Sequence, residues 1–364
     1  MLRSLCALLV LLLPWLHAHA QKDQEPFQER ITQLWDLVHQ DPDTVLLLAD
    51  ALYRDAEKAG SYKGMLNAIQ LKGESHYMMD RLDSAFFHYT RAMDLAEGEA
   101  DRNEIGHTHT SLAGISADRG QRDVAIEHFE RSLRIRMEDK DSSEICDVAV
   151  RYANCLGDGD KPGPAMRNYL LGLKCCRAVG DDVTMGHAYN GMAIVHKKQK
   201  NFEKALELLD SAEHHYAKVG EEFYVASVLN NRGVLKKQLG RYAEAAADYE
   251  KGLATMESAG YERGIMSFHQ NLGIMASLLQ DPDEALTQCG RSLAIARTID
   301  IPMTVSEALN EIAKAQLMKG LTDEAEASID EAIAVAQDIR SLEKEHQAWE
   351  TKGRIHQAQG RADL

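Results

Sequence analysis

What this chain has little of narrows it quickly. Aromatic residues make up 6% and only 7 prolines occur in 364 residues, a sparing usage that suits helices better than a β-sandwich. Positive charge is in deficit: Lys+Arg total 41 against 57 Asp+Glu, a formal charge of −16, so no basic face for nucleic-acid phosphates is expected. After residue 20 no apolar run approaches the ~20 residues of a membrane-spanning helix. Signatures of chemistry are missing too. The chain has no GxxxxGK[ST] phosphate loop, no GxGxxG after a strand, and no HExxH, GxSxG or CxxC. No catalytic residue, metal or cofactor is therefore expected. What is present, 45% hydrophobic and 27% charged residues, is the balance of a globular protein and argues against overall disorder.

The first twenty residues, MLRSLCALLVLLLPWLHAHA, stand apart. Arg3 precedes an apolar run from Leu5 to Leu16, and Ala18-His19-Ala20 closes it with small residues flanking a cleavage point. That is the layout of a secretory signal peptide, with an uncleaved anchor as the alternative. Cys6 lies inside the run rather than at its end, which gives no reason to expect lipid attachment. Residues 1–20 are expected to be removed, leaving Gln21 first and the protein exported, to a periplasm or the cell exterior.

A period of forty residues organises the rest. Alanines recur at Ala85, Ala125, Ala165, Ala205, Ala245, Ala285 and Ala325. Twelve residues before each, and once more after the series, stands a small residue: Gly73, Ala113, Ala153, Ala193, Gly233, Gly273, Ala313 and Gly353. Seven after each alanine comes another, from Ala92 to Ala332, and four after each a larger or apolar one: Tyr89, Phe129, Tyr169, Leu209, Tyr249, Cys289 and Ile329. Small residues in register let two antiparallel helices approach closely, while the larger side chain is expected to fill the gap between neighbouring hairpins. Gly120, Gly240, Gly320 and Gly360 fall where the first helix of a pair should end, and the prolines fall in loops or at helix ends. Asp41-Pro42-Asp43 returns as Asp281-Pro282-Asp283, so residues 21–60 keep step as a divergent first repeat.

The pattern resembles the tetratricopeptide repeat family, most clearly in LNNRGVLKKQLGRYAEAAADYEKGL (229–253), HQNLGIMASLLQDPDEALTQCGRSL (269–293) and EIAKAQLMKGLTDEAEASIDEAI (311–333). The resemblance implies an all-α, right-handed superhelical solenoid of antiparallel helix pairs, about eight and a half repeats long. Seven tandem repeats would occupy 61–340 and an incomplete ninth 341–364. Repeat four departs most, with GDGDKPGPA (157–165) in place of the usual turn.

Isolated polar motifs have bland readings. Asp158-Gly159-Asp160 is like a calcium loop, but Tyr169 stands where the closing Glu should be. His107 and His109, and His214 and His215, sit at spacings that splay across different helix faces and do not converge on one ion. His76, His196 and His356 share one repeat position, where the family usually has Tyr, and read as packed rings. Past residue 20 the cysteines are Cys146, Cys155, Cys175, Cys176 and Cys289, an odd number, so at least one stays unpaired. Cys289 reads as a buried thiol. Cys146 and Cys155 lie too far apart on one helix to bridge. In an antiparallel pair the start of the first helix faces the end of the second, so Cys146 can meet Cys175 or Cys176.

In the tetratricopeptide family the first helices line a concave groove that holds an extended peptide. Three residues before each small position come Gln70, Thr110, Val150, Asn190, Asn230, Gln270, Asn310 and Glu350. The amides Gln70, Asn190, Asn230, Gln270 and Asn310 can each donate to and accept from a peptide main chain. Lys197, Lys198 and Lys237 would add a basic patch suited to an acidic segment, although solubility alone also selects such residues. The expected function is an exported, non-enzymatic scaffold that binds a protein or peptide partner. The alternative is the extracytoplasmic sensor part of a signal-transduction protein, with a histidine kinase or a helix-turn-helix regulator as its output.

Overall fold

The computed structural model describes residues 27–159 and 161–361; the segment 1–20 and Asp160 lie outside them. The described residues form seventeen helices and no strand. They fall into two compact units, 1–179 and 180–364. The first contains α1 (Gln28–Leu37), α2 (Pro42–Ala59), α3 (Tyr62–Met78), α4 (Leu82–Gly98), α5 (Arg102–Asp118), α6 (Arg122–Asp139), α7 (Ser142–Asp158) and α8 (Pro162–Val179). The second contains α9 (Asp182–Lys198), α10 (Phe202–Lys218), α11 (Glu222–Gln238), α12 (Tyr242–Ala259), α13 (Glu262–Leu278), α14 (Pro282–Thr298), α15 (Pro302–Met318), α16 (Thr322–Asp338) and α17 (Leu342–Ala358). Within each unit every helix packs on the one before and the one after it, so each unit is a stack of hairpins.

The ends of the helices explain their regularity. Asp41, Ser61, Asp101, Asp141, Asp181 and Asp281 cap N-termini by accepting a backbone N–H from the first turn, at 2.9–3.2 Å. Pro42, Pro282 and Pro302 occupy first-turn positions where no N–H is needed. At the other end the chain turns through a left-handed residue. Every positive φ among the described residues falls on a multiple of twenty between 60 and 360, at glycine in Gly60, Gly120, Gly180, Gly220, Gly240, Gly260, Gly320 and Gly360. The next residue's N–H then reaches back to a carbonyl inside the helix, as from Gln121 to Ser116 at 2.8 Å. Asp80, Ala100, Lys140, Lys200, Gln280, Asp300 and Arg340 take the same conformation without being glycine. The unusual turn of repeat four is absorbed inside the same frame. Helix α7 ends at Asp158, α8 starts at Pro162, and the Lys161 N–H still reaches the Leu156 carbonyl at 3.1 Å.

The small and large positions pack as a lock. A Cβ on Gly73 would lie 2.7 Å from the Tyr89 ring, and one on Gly233 only 2.4 Å from the Tyr249 ring. The large side chain therefore fills its own hairpin as well as the gap to the next. Tyr249 also clusters with Phe268 and Leu272 of α13, and Tyr89 with Leu112 and Ile115 of α5. Burial of such side chains stabilises by roughly 1.5–3 kcal/mol each.

Polar bridges twenty-two residues apart tie successive hairpins. Lys72 pairs with Asp50, Tyr152 donates to Glu130 at 2.8 Å, Arg232 pairs with Asp210 at 2.7 Å and Lys352 with Asp330 at 2.7 Å. The Arg232 guanidinium is buried and also holds Asp248 at 2.9 Å and Glu213 at 2.5 Å. In the first unit Cys146 at the start of α7 and Cys176 near the end of α8 form a disulfide across their hairpin. Cys175 stays free, as do the buried Cys155 and Cys289, and burial pushes the Cys289 thiol up to about 12.

Candidate functional site

The inner-face amides divide by unit. In the first, Gln70 is buried and donates to Glu104 at 2.9 Å, Thr110 is buried on the Ser132 hydroxyl at 2.8 Å, and Val150 is apolar and buried. These positions form no amide row there.

In the second unit a row does form, and its chemistry depends on a neighbour the spacing did not single out. The residue following each of these positions lies on the next hairpin's first helix, forty-one residues on. Asn231 Nδ2 donates to Asn190 Oδ1 at 3.1 Å, and Asn271 Nδ2 donates to Asn230 Oδ1 at 2.9 Å. These two rungs join α9 to α11 and α11 to α13. The series then breaks, because the corresponding residue is Glu311 opposite Gln270 and Thr351 opposite Asn310. A carboxylate cannot donate, and the Thr351 hydroxyl donates instead to the Gln347 carbonyl at 3.2 Å. Gln270 Oε1 and Asn310 Oδ1 accordingly sit buried with no hydrogen-bond partner among the described residues.

The two closed rungs leave useful groups over. Asn190, Asn230, Asn231 and Asn271 are all half-buried. Each rung uses one carbonyl and one amide NH, so Nδ2 of Asn190 and Oδ1 of Asn271 take part in none of the side-chain hydrogen bonds described. Asn230 uses its carbonyl and Asn231 its NH, leaving a donor on one and an acceptor on its neighbour. The arrangement is a pre-oriented strip of donors and acceptors across three parallel helices, with part of its surface open to solvent.

The lysines stand about two turns further along. Lys197 and Lys237 hold the same register on α9 and α11, are half-buried, and have no ion pair among the described residues; Lys198 is exposed. Lys236, one residue from Lys237, is instead committed to Asp248 at 2.7 Å. An aromatic run lies further toward the helix N-termini. Phe223 meets Tyr261 edge-on at 5.5 Å, Tyr224 stacks on Tyr216 at 5.0 Å, and His187 meets Tyr224 at 4.7 Å. Phe223 and Tyr261 are exposed.

Four histidines of the first unit are spent on packing. His76 stacks on His88 with ring centroids 5.2 Å apart, and buried His109 meets His128 with the two Nδ1 atoms 2.9 Å apart. Burial is the main cause that lowers all four, His88 and His109 to about 4. His215 pairs with Asp182 at 2.7 Å, a carboxylate that Lys218 also holds at 2.6 Å. Among the described residues no group of three or more His, Cys, Asp or Glu converges as a metal site would require. No described helix is long and apolar enough to cross a membrane.

Comparison with known proteins agrees with this architecture. Residues 184–258 match the tetratricopeptide repeat family. Solved structures share the fold: a Rap protein complexed with competence and sporulation factor, at 15% identity and TM-score 0.56, matches over 93% of this chain and 99% of its own. The apo form of the quorum sensor NprR from B. thuringiensis matches over 92% of this chain and 99% of its own, at 10% identity and TM-score 0.58. A signal-transduction ATPase with a tetratricopeptide repeat sensor, from Pyrococcus horikoshii, matches over 89% of this chain and 53% of its own, at 14% identity and TM-score 0.58. No curated protein sequence matches this chain. The family match lies within the second unit, and the stacked-hairpin fold is what the chain shares with these solved structures.

Proposed function

We propose that this chain is an exported, non-enzymatic scaffold that binds an extended peptide along the inner faces of α9, α11 and α13. The observation that carries the reading is the asparagine strip. Two inter-helix rungs hold four amides in place, and the donors and acceptors left over suit a peptide main chain, which offers N–H and C=O in alternation. Lys197 and Lys237, about two turns further along the same helices, favour a ligand with acidic side chains. The Rap protein of this fold, complexed with competence and sporulation factor, supports a factor-binding role. Export is supported by the signal-like segment 1–20 and by the Cys146–Cys176 disulfide, since such bonds persist in oxidising compartments. Mass analysis of the mature protein should then show Gln21 as the first residue.

A second reading, the sensor part of a longer signalling protein, is favoured by the sensor-type proteins among the similar structures. Both readings place the ligand on the same strip and share one test. Peptides selected from a displayed random library against the full chain should be enriched in acidic residues. The best of them should bind at least tenfold more weakly to Asn190→Ala/Asn230→Ala, with the thermal midpoint little changed. An equal affinity would refute the strip as the site.

A further inference from the structure

The first unit, where no amide row exists, has a cavity of about 260 Å³ lined mainly by the first helices of its hairpins. Its walls combine Trp35 of α1, Glu74 and Tyr77 of α3, Tyr89 of α4, and Gly114 and Arg151 from α5 and α7. The volume is below that of pockets for drug-sized ligands, roughly 300–1,000 Å³, and too small for a folded segment.

Two opposite charges line this cavity and do not pair with each other. Glu74 accepts the Tyr89 hydroxyl at 2.8 Å through Oε2, and no cation is bonded to it among the described residues. Tyr89 is itself buried, so the carboxylate is held in one place. Arg151 comes from α7 and lies against the bare Cα of Gly114, where a Cβ would stand 3.0 Å from Nη2. Its ion pair is a long one, 3.5 Å to Asp147 one turn back on the same helix, which leaves most of its five donors unused. Elsewhere in the chain, arginines with a carboxylate in reach close on it at 2.5–3.3 Å.

The aromatic walls are fixed at their polar tips. Trp35 Nε1 donates to Asn67 at 3.1 Å, and the Tyr77 hydroxyl donates to Asp118 at 2.7 Å. Ring surface therefore remains for apolar or cationic contact. A fixed carboxylate, a separate guanidinium and two anchored rings in one small cavity call for a ligand carrying both charges on a compact frame.

We infer that this cavity binds a free α-amino acid with an apolar or aromatic side chain, its ammonium on Glu74 and its carboxylate on Arg151. The site is in a different unit from the asparagine strip and does not depend on it. A peptide end has the same chemistry at one charge only, because its second terminus lies residues away.

Calorimetric titration of the full chain with the twenty free L-amino acids tests the assignment. At least one apolar or aromatic member should bind, and its decarboxylated amine and deaminated acid should each bind at least tenfold more weakly. A pentapeptide of the same residue should not compete. Glu74→Gln, which keeps an acceptor for the Tyr89 hydroxyl, and Arg151→Met should each weaken binding at least tenfold with unchanged helical circular dichroism. Asn190→Ala/Asn230→Ala should leave it unaltered. No binding by any amino acid at 10 mM, equal binding of the singly charged analogues, preference for the pentapeptide, or indifference to both variants would overturn the inference.

Discussion

Cys146 and Cys176 close a loop of sequence separation 30 at the open end of the α7–α8 hairpin, opposite its irregular turn. Cross-linking removes unfolded-chain entropy of about 2.1 + 1.5R ln 30 ≈ 12 cal/mol/K, or about 3.6 kcal/mol at 25 °C. For a unit of this size each kcal/mol moves the midpoint by roughly 2–4 °C, so losing the bond should lower the first unit's transition by roughly 7–14 °C. Both cysteines are fully buried, so Cys146→Ala/Cys176→Ala is the better variant; serine would add an unpaired buried hydroxyl worth about 1–3 kcal/mol. The assay is thermal unfolding of wild type, reduced wild type and the double alanine variant, with non-reducing peptide mapping alongside. Reduced wild type and the variant should agree. A shift under about 2 °C, or a map joining Cys146 to Cys175, would refute the reasoning.

Three further outcomes are expected. Gly233→Ala places a methyl group 2.4 Å from the buried Tyr249 ring and should destabilise by about 1–3 kcal/mol; Gly233→Ala/Tyr249→Leu, which copies the native Ala193–Leu209 pair, should recover most of it in a double-mutant cycle. Ala100→Gly or Lys140→Gly, at left-handed turns, should raise stability by up to about 1 kcal/mol in urea titrations. Acid should loosen the first unit. His88 and His109 stay neutral to about pH 4 when folded, against 6.5 for the free group, so the unfolded chain takes up protons first and stability falls as pH drops from about 6.5 to 4. Around His109 and His128 the facing charges are Arg131, which opposes protonation, and Glu127, which favours it; around His76 and His88, Lys72, Arg81 and Arg91 oppose it and Asp50 favours it. His88→Gln/His109→Gln should flatten the pH dependence of the midpoint.

The hairpin register was legible because small and large residues return every forty positions, and that interval leaves helix packing little choice. Repeat four has an unusual turn sequence, yet its helices start and stop in the same register as the others. The choice between Cys175 and Cys176 was not legible. Adjacent helix residues point about 100° apart, and only the packing of α8 on α7 decides which faces Cys146. Spacing puts Gln70, Asn190, Asn230, Gln270 and Asn310 at one repeat position, but it cannot show that Gln70, Gln270 and Asn310 are buried while Asn190 and Asn230 stay half-exposed. Which amides close rungs depends on the residue one position on in the next repeat. A comparison at intervals of forty-one would have exposed the Asn190–Asn231 and Asn230–Asn271 rungs, and intervals of twenty-two the bridges between hairpins. The cavity of the first unit is harder to read: Arg151, Glu74 and Trp35 share one face of the first helices in the forty-residue frame, but no residue type repeats there to mark them.

The left-handed turns at multiples of twenty also bear on how the gene can change. One residue inserted within a helix turns everything after it by about 100° and carries buried side chains onto solvent faces. A whole forty-residue block, 120 nucleotides, returns every side chain to its own face and every turn to its own place. Unequal recombination between neighbouring repeats can therefore add or delete a hairpin without disturbing the rest. The α7–α8 hairpin is the exception. Duplicating it would present four cysteines where two now meet, so the same bond that secures this hairpin discourages copying it.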